Sequence, residues 1–434
     1  MKVHKFPSAA AKKRLDSIVN RGLAFKARDV QAVKRILDDV RKNRDRALIS
    51  YINRFDAPKL TAKSLKVTKT EFDQARSRVD KGFVKSLNKA AKQIEAFHRH
   101  QVEESWSVKS ADGTVLGQLA RAVNTAGVYV PGGRGGETPL VSSVLMGCIP
   151  AKVAGVQNIC ITTPPTKSGK VNPYVLAAAE KIGVKMVFKA GSAWGIAALA
   201  YGTETVPKAD VIVGPGNIFV TLAKKMVAGT VGVDMVAGPS EILVIADEKA
   251  NPGYIAADLL SQAEHDPLSS AILLTSSAAL ARAVVVQVKS QLEDLPRKAI
   301  AEAALKAYGA ILVVPDVDRA LDLANQIAPE HLELHLEEPF QYLGRIQNAG
   351  AVFLGPYTPE PVGDYVAGPN HVLPTAGTAR FASALSVTHF MKKTSVLYYS
   401  KTALRRDAGD IIRLAEIEGL AGHAAAVRIR KRTS

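Results

Sequence analysis

Gly127-Val-Tyr129-Val-Pro131-Gly132-Gly133 is a short β-branched run that ends in a proline and two glycines. It reads as a strand running into a tight turn, and Ser142 to Gly155 reads as the helix that follows. Outward from it the same grammar repeats. Strands are expected at Asn158 to Pro165, Lys185 to Gly191 and Asp210 to Gly216, with helices at Tyr174 to Lys181, Ala193 to Tyr201 and Ile218 to Val227. A second run follows, with strands at Glu241 to Ala246, Ala271 to Thr275, Ala310 to Pro315 and Ala351 to Gly355, again separated by helices. Strand and helix alternating at this spacing predict an α/β protein: two Rossmann-like parallel-sheet units with helices on both faces, a possible internal duplication. Small helical elements are expected at both ends.

With 434 residues the chain is too long for one ordinary core, so several domains are expected. The spacing divides it into a helical arm (1–25), a helical lead-in packing with the second α/β unit (26–125), the first unit (126–239), the second unit (240–378) and a C-terminal segment (379–434). Within the lead-in, Val30 to Arg54 and Phe72 to His100 carry apolar residues spaced for one-sided helices.

Composition narrows the function classes. The first residues lack the apolar stretch of a secretory signal, and no uncharged apolar run reaches membrane-spanning length, so the expectation is a cytoplasmic protein with no membrane partner. Cys148 and Cys160 are the two cysteines, both in apolar surroundings; they read as buried thiols rather than a disulfide scaffold, thiolate metal site or nucleophile. A net charge of +17 raises nucleic acid as a partner, yet the basic residues are dispersed and no reading helix is recognisable. Solubility and attraction of anionic ligands account for the charge equally well, and no specific nucleic acid is expected.

In open parallel sheets ligands bind beyond the C-terminal ends of strands. Pro131 to Glu137 and Gly214-Pro-Gly-Asn217 each follow a strand and open a helix, which aims backbone N–H groups at an anion such as a dinucleotide phosphate; glycine required only by a tight turn is the plainer reading. In Asp258-Leu-Leu-Ser-Gln262-Ala-Glu-His265-Asp-Pro267, steps of four and then three place Asp258, Gln262 and His265 on one helix face, and Pro267 ends the helix. An imidazole nitrogen and an amide oxygen there are candidate ligands for one cation such as zinc, against the plainer reading of a polar helix end in solvent. Ser240 precedes a strand in Gly238-Pro-Ser240-Glu241. Pro329 breaks a helix and leaves Glu330 and His331 on a turn, as candidate base groups or as a cap and an exposed imidazole. The loop Pro361 to His371 is dense in glycine, proline and polar groups, with Asp364 a candidate metal ligand and His371 a further polar candidate. Glu418-Gly-Leu-Ala-Gly-His423 lies far along the chain from every other cluster.

Taken together, Tyr129-Val-Pro-Gly-Gly, Val213-Gly-Pro-Gly-Asn217, Met235-Val-Ala-Gly-Pro-Ser240-Glu, the Asp258 to Pro267 stretch, Ala328-Pro-Glu330-His331-Leu-Glu, Gly363 to Thr375 and Glu418 to His423 resemble the histidinol dehydrogenase family, in that family's order. The resemblance implies a zinc- and NAD-dependent enzyme that oxidises L-histidinol to L-histidine through the aldehyde, the last step of histidine biosynthesis. It implies Gln262, His265, Asp364 and His423 as ligands of one zinc per subunit, and Glu330 and His331 as catalytic groups. Ser240 and Glu418 would join these residues around the substrate, while Tyr129, Trp194 and Asn217 would contact NAD. It further implies a homodimer whose C-terminal segment donates His423 to the partner's site. Two departures stand out: Trp194 replaces a glutamine of many relatives, so ring contact would replace a hydrogen bond, and Arg134-Gly135-Gly136 lengthens the turn after Tyr129. The competing expectation is a paralogous zinc- and NAD-dependent dehydrogenase of another alcohol, such as a sulfonated diol; Glu418 would repel a sulfonate and favours histidinol.

Overall fold

The computed structural model describes residues 1–21, 25–236 and 238–432, with the side chains of 134, 135 and 432 outside the description. Residues 1–101 and 124–390 form one compact unit, and 102–123 with 391–434 form another.

The larger unit holds two parallel sheets. In the first, the order is Met186–Lys189, Asn158–Thr163, Thr125–Tyr129, Val211–Val213, Gly232–Val233. The chain starts in the middle, winds outward to one edge and returns to build the other, so the winding reverses beside Thr125–Tyr129 and Tyr129 ends the strand at that point. The second sheet runs Gly309–Val313, Ser270–Thr275, Glu241–Ala246, His331–His335, Ala351–Leu354 and repeats the same order. The duplication inferred from the alternation is therefore a duplication of topology.

Two expectations about the N-terminal region change. Residues 1–25 are not simply a helical arm: Val3–Lys5 pairs in parallel with Gly309–Val313 and adds a sixth strand, and helix Ala9–Val19 buries Ala11 and Ile18 against Leu312 and Ala320. The open N–H and C=O groups of an edge strand explain why three residues suffice to dock there. The lead-in helix Ala27–Tyr51 packs on the first unit rather than the second, with Val33, Leu37 and Leu48 in one core with Ile196, Leu199 and Ile212. Helix Ser192–Tyr201 is apolar on nearly every face, so the side it turns away from the sheet needs a cover.

The smaller unit corrects the reading of residues before 120 as helical. Trp106–Lys109, Val115–Ala122 and Met391–Tyr398 form an antiparallel sheet, accompanied by helices Lys401–Ile417 and Ala421–Arg432. The turn at Asp112-Gly113, with Gly113 at φ 84°, joins the first two strands, and the Asp112 carboxylate accepts the N–H of Thr114 at 3.0 Å. Cys148 and Cys160 are free and buried as expected, and burial pushes the Cys160 thiol up to about 12.

Candidate active site

His331-Leu-Glu333-Leu-His335 is a strand, not a turn. Leu332 and Leu334 enter the core on one face, so His331, Glu333 and His335 share the other, the face covered by helix Pro252–Ala263. Glu330 precedes the strand, and Glu241 opens the neighbouring one. The two backbones bond reciprocally: the Glu241 N–H donates to Glu330 Oε2 at 2.8 Å, and the Glu330 N–H donates to Glu241 Oε2 at 3.3 Å. Both carboxylates are buried. Burial, and next the negative charge of Glu241, hold the Glu330 carboxyl well above the usual range. The His331 Nδ1 lies 2.9 Å from the Glu241 carbonyl, which only accepts, so Nδ1 carries the hydrogen and Nε2 keeps its lone pair. Burial lowers the His331 pKa to about 4, which leaves a neutral imidazole at physiological pH.

Nε2 of His331 faces Glu360 Oε1 at 3.9 Å, and ligand atoms of His331, Glu360 and Asp364 all lie within 4.8 Å of one another. His371 joins them, its Nδ1 3.7 Å from Asp364 Oδ1. Helix Pro252–Ala263 delivers Gln262, 1 % exposed, with an Oε1 that has no hydrogen-bond partner among the described residues. An amide oxygen buried without a partner is costly, and a cation held jointly with Asp364 would satisfy it. His265 sits just past the helix end, exposed, and close enough to His331 and His371 that its positive charge disfavours theirs. Amide oxygen, imidazole and carboxylate are a donor set that zinc accepts, so these residues fit the ion.

Sequence reasoning missed the layer behind these groups. Asp258, one turn before Gln262, lies with its Oδ2 3.3 Å from His335 Nε2, which is also 3.3 Å from Glu333 Oε2. Glu333 Oε1 accepts the N–H of Glu360 at 2.8 Å, at the start of the short helix Glu360–Tyr365 that carries Asp364. Burial disfavours a charged His335, but its bonds to Asp258 and Glu333 prevail and raise it to about 9; burial pushes Glu333 up to about 7. Burial and the neighbouring Asp364 likewise push Glu360 to about 9. The signals were the alternation in His-Leu-Glu-Leu-His and the four-residue step from Glu360 to Asp364.

This cluster lies at the N-terminal edge of its sheet, which corrects the expectation that ligands sit beyond strand C-termini. The helix after strand Glu241–Ala246 runs back across the sheet, so its C-terminal end, with Gln262, arrives where the strands begin. The residues expected near NAD do lie at the C-terminal edge of the first sheet. Tyr129 is buried, and its hydroxyl accepts the N–H of Ser192 at 3.0 Å. Asn217 caps helix Ile218–Val227 through the N–H groups of Phe219 and Val220. Gly214 between them has φ 115°, and a side chain there would put Cβ 2.2 Å from the Tyr129 carbonyl oxygen, so only glycine fits. Trp194 donates its Nε1–H to Asp56 Oδ2 at 2.8 Å and stacks with Phe55 and Tyr51, so no hydrogen bond is left for a cofactor. The Arg134 side chain lies outside the described residues. Ser240, half-buried, precedes Glu241, and its carbonyl accepts the N–H of Ser270 at 3.0 Å. Glu418 and His423 belong to the smaller unit, at the end of helix Lys401–Ile417 and on helix Ala421–Arg432, both exposed.

A family model described as histidinol dehydrogenase matches residues 21–431. The chain is 53 % identical over 398 residues to the histidinol dehydrogenase of Oleidesulfovibrio alaskensis, covering 92 % of each chain. It is 50 % identical over 423 residues to that of Clostridium acetobutylicum, covering 98 % of this chain and 97 % of the relative. A crystal structure of the histidinol dehydrogenase from Elizabethkingia anophelis superposes with a TM-score of 0.92 at 39 % identity, over 100 % of this chain and 98 % of that one. The chain thus belongs to the histidinol dehydrogenase family, NAD-dependent oxidoreductases that oxidise histidinol.

Proposed function

We propose that this chain carries out both oxidations of L-histidinol, to L-histidinal and on to L-histidine, with two NAD consumed in succession at one site. The observation that carries the reading is the buried pair of Glu330 and His331, the first with a raised pKa and the second neutral with Nε2 free, beside Asp364 and the unpartnered Gln262 Oε1.

In the first step His331 Nε2 takes the hydroxyl proton as the carbinol hydride leaves to NAD. Glu330 then takes a proton from water as the water oxygen adds to the aldehyde carbonyl, and His331 returns its proton to the carbonyl oxygen, which completes the hydrate and frees Nε2 again. The hydrate gives its hydride to the second NAD and a hydroxyl proton to His331, leaving the carboxylic acid. Zinc, one per subunit, would be held by Gln262, His265, Asp364 and the partner subunit's His423, and would supply a fixed positive charge that orients the substrate through its nitrogens. Ser240 and the partner subunit's Glu418 would complete the substrate site. NAD would lie along Tyr129, Trp194 and Asn217, with Trp194 contributing its ring alone.

A homodimer with shared sites agrees with the surface of the smaller unit, where Trp106, Val108, Leu397, Tyr398, Leu414 and Ile417 are exposed. A cytoplasmic location agrees with the absence, among the described residues, of any helix long and apolar enough to cross a membrane. The Asp364 carboxylate suits a cationic amino alcohol and opposes a sulfonated one.

The test is the NADH formed per histidinol consumed by zinc-loaded protein. Two, lost on chelation and restored by zinc, is expected; one, with histidinal accumulating, would remove Glu330 from its role. Co-expression of Glu330→Gln and His423→Ala chains tests the shared site, because mixed dimers should recover activity that neither variant has alone.

A further inference from the structure

We infer that the buried ion pair between Arg21 and Glu241 is a positioning device that holds Glu330 for the water-activating step. The inference rests on the reading of Glu330 as the base of the aldehyde oxidation. Arg21 NH2 is 2.6 Å from Glu241 Oε1, and the two side chains are 5 % and 6 % exposed. Arg21 is itself held on several sides: NH1 donates to the Ile18 carbonyl at 2.8 Å, Nε to that of Leu268 at 3.3 Å, and the guanidinium lies over the Tyr308 ring at 5.7 Å. Its position is thus set by the N-terminal helix and the second sheet together.

The other oxygen of this carboxylate accepts the N–H of Glu330, and the carboxylate also accepts the backbone N–H of Ala376. Glu330 in turn places its own carboxylate on the N–H of Glu241. Two acidic side chains buried this close repel each other, and neither stays extended along the other's backbone without a cation. Arg21 supplies one at the Glu241 oxygen other than the one that meets Glu330, so the negative charge of Glu241 is partly offset while Glu330 Oε2 stays on the Glu241 N–H and its Oε1 serves the site. His331 is anchored differently: it bonds the backbone carbonyl of Glu241, which does not depend on the side chain. Loss of the ion pair should therefore reach Glu330 and spare His331.

The two half-reactions separate these roles. Histidinal with NAD reads the aldehyde oxidation, and histidinal with NADH reads the alcohol step in reverse. Arg21→Met should slow the first by about tenfold to a hundredfold, the ordinary loss when a group that holds a functional residue is removed. It should leave the second within a few-fold, with the KM for histidinal and the zinc content unchanged. Arg21→Lys should restore part of the lost rate, and it reads the same selectivity if Arg21→Met does not fold. Added to Glu330→Gln, Arg21→Met should cost nothing further, because both act through one group. Equal loss in both half-reactions, or a full further loss in the Glu330→Gln background, would overturn the inference while leaving Glu330 as the base. A Glu330→Gln variant with normal aldehyde oxidation would overturn both.

Discussion

The Nδ1 of His331 is held 2.9 Å from the carbonyl oxygen of Glu241, and this one bond decides which imidazole nitrogen is available for chemistry. With Nδ1–H committed to backbone, Nε2 is the only base the ring offers, and burial keeps it unprotonated down to about pH 4. His331→Asn retains a donor near Nδ1 but no base. We expect kcat with histidinol to fall by about a hundredfold to ten-thousandfold, the usual contribution of a positioned general base. Zinc content and KM should change little, and steady-state kinetics with metal analysis on the same preparation check this. Loss of zinc in parallel with activity would instead make His331 part of the metal site.

Gln262 offers a prediction with opposite signs in two states. Its Oε1 is buried without a hydrogen-bond partner among the described residues, and such an atom costs about 1–3 kcal/mol. In zinc-free protein, Gln262→Leu should therefore be no less stable than the parent. In zinc-loaded protein it should be the less stable of the two, because metal bound to the native state adds stability in proportion to its affinity. Thermal unfolding with and without chelator gives both comparisons. A variant that is less stable without zinc would show that Gln262 serves packing alone.

How much of this was legible in the sequence depended on range. The parallel units were readable because β-branched runs and helical spacing are local. The glycine turns, the lone buried cysteines and the motif residues were readable for the same reason. Asp112-Gly113 was also a local signal, a hairpin turn passed over because lysine- and alanine-rich helices precede it. What no local pattern carries is the partner of a buried charge. Glu241 reads as the first residue of an apolar strand; only the crossing of two strand tips and the return of Arg21 make it a hub. That the Trp194 N–H is taken was not readable locally either, because Asp56, which accepts it, and Phe55, which stacks on the ring, arrive at the end of helix Ala27–Tyr51.

The triad of Asp258, Glu333 and His335 predicts how stability varies with pH. His335 is raised from 6.5 to about 9 and Glu333 from 4.5 to about 7, so the native state binds more protons than the unfolded chain across this range. Stability then falls as pH rises. The Glu333 contribution is full below about pH 4.5 and is lost through about 7, and that of His335 is full below about 6.5 and is lost through about 9. Denaturant unfolding of zinc-free protein at a series of pH values should show this decline, and the His335→Gln, Glu333→Gln double variant should make it shallower, the remainder coming from Glu360 and Glu330. An unchanged slope in the double variant would assign the decline to other groups.

Trp194→Phe separates a packing role from a cofactor role. Phenylalanine keeps an aromatic ring to stack on Phe55 and Tyr51 but removes the Nε1–H held by Asp56. That carboxylate would be left with the Gly191 N–H at 3.3 Å and the charge of Lys167, whose Nζ donates to the Asp56 carbonyl at 2.9 Å. Burial already pushes the Asp56 pKa up against the pull of the Trp194 N–H, so its removal should raise it further. We expect a loss of about 1.5 kcal/mol in unfolding free energy, the low end for a hydrogen bond to a charged group. The KM for NAD should stay within about twofold if the ring is all the cofactor touches, since a contact retained contributes no change in binding. A rise of tenfold or more in that KM with stability intact would mean that the indole N–H leaves Asp56 when the cofactor arrives, and would give Trp194 the hydrogen-bonding role that glutamine has the chemistry to fill.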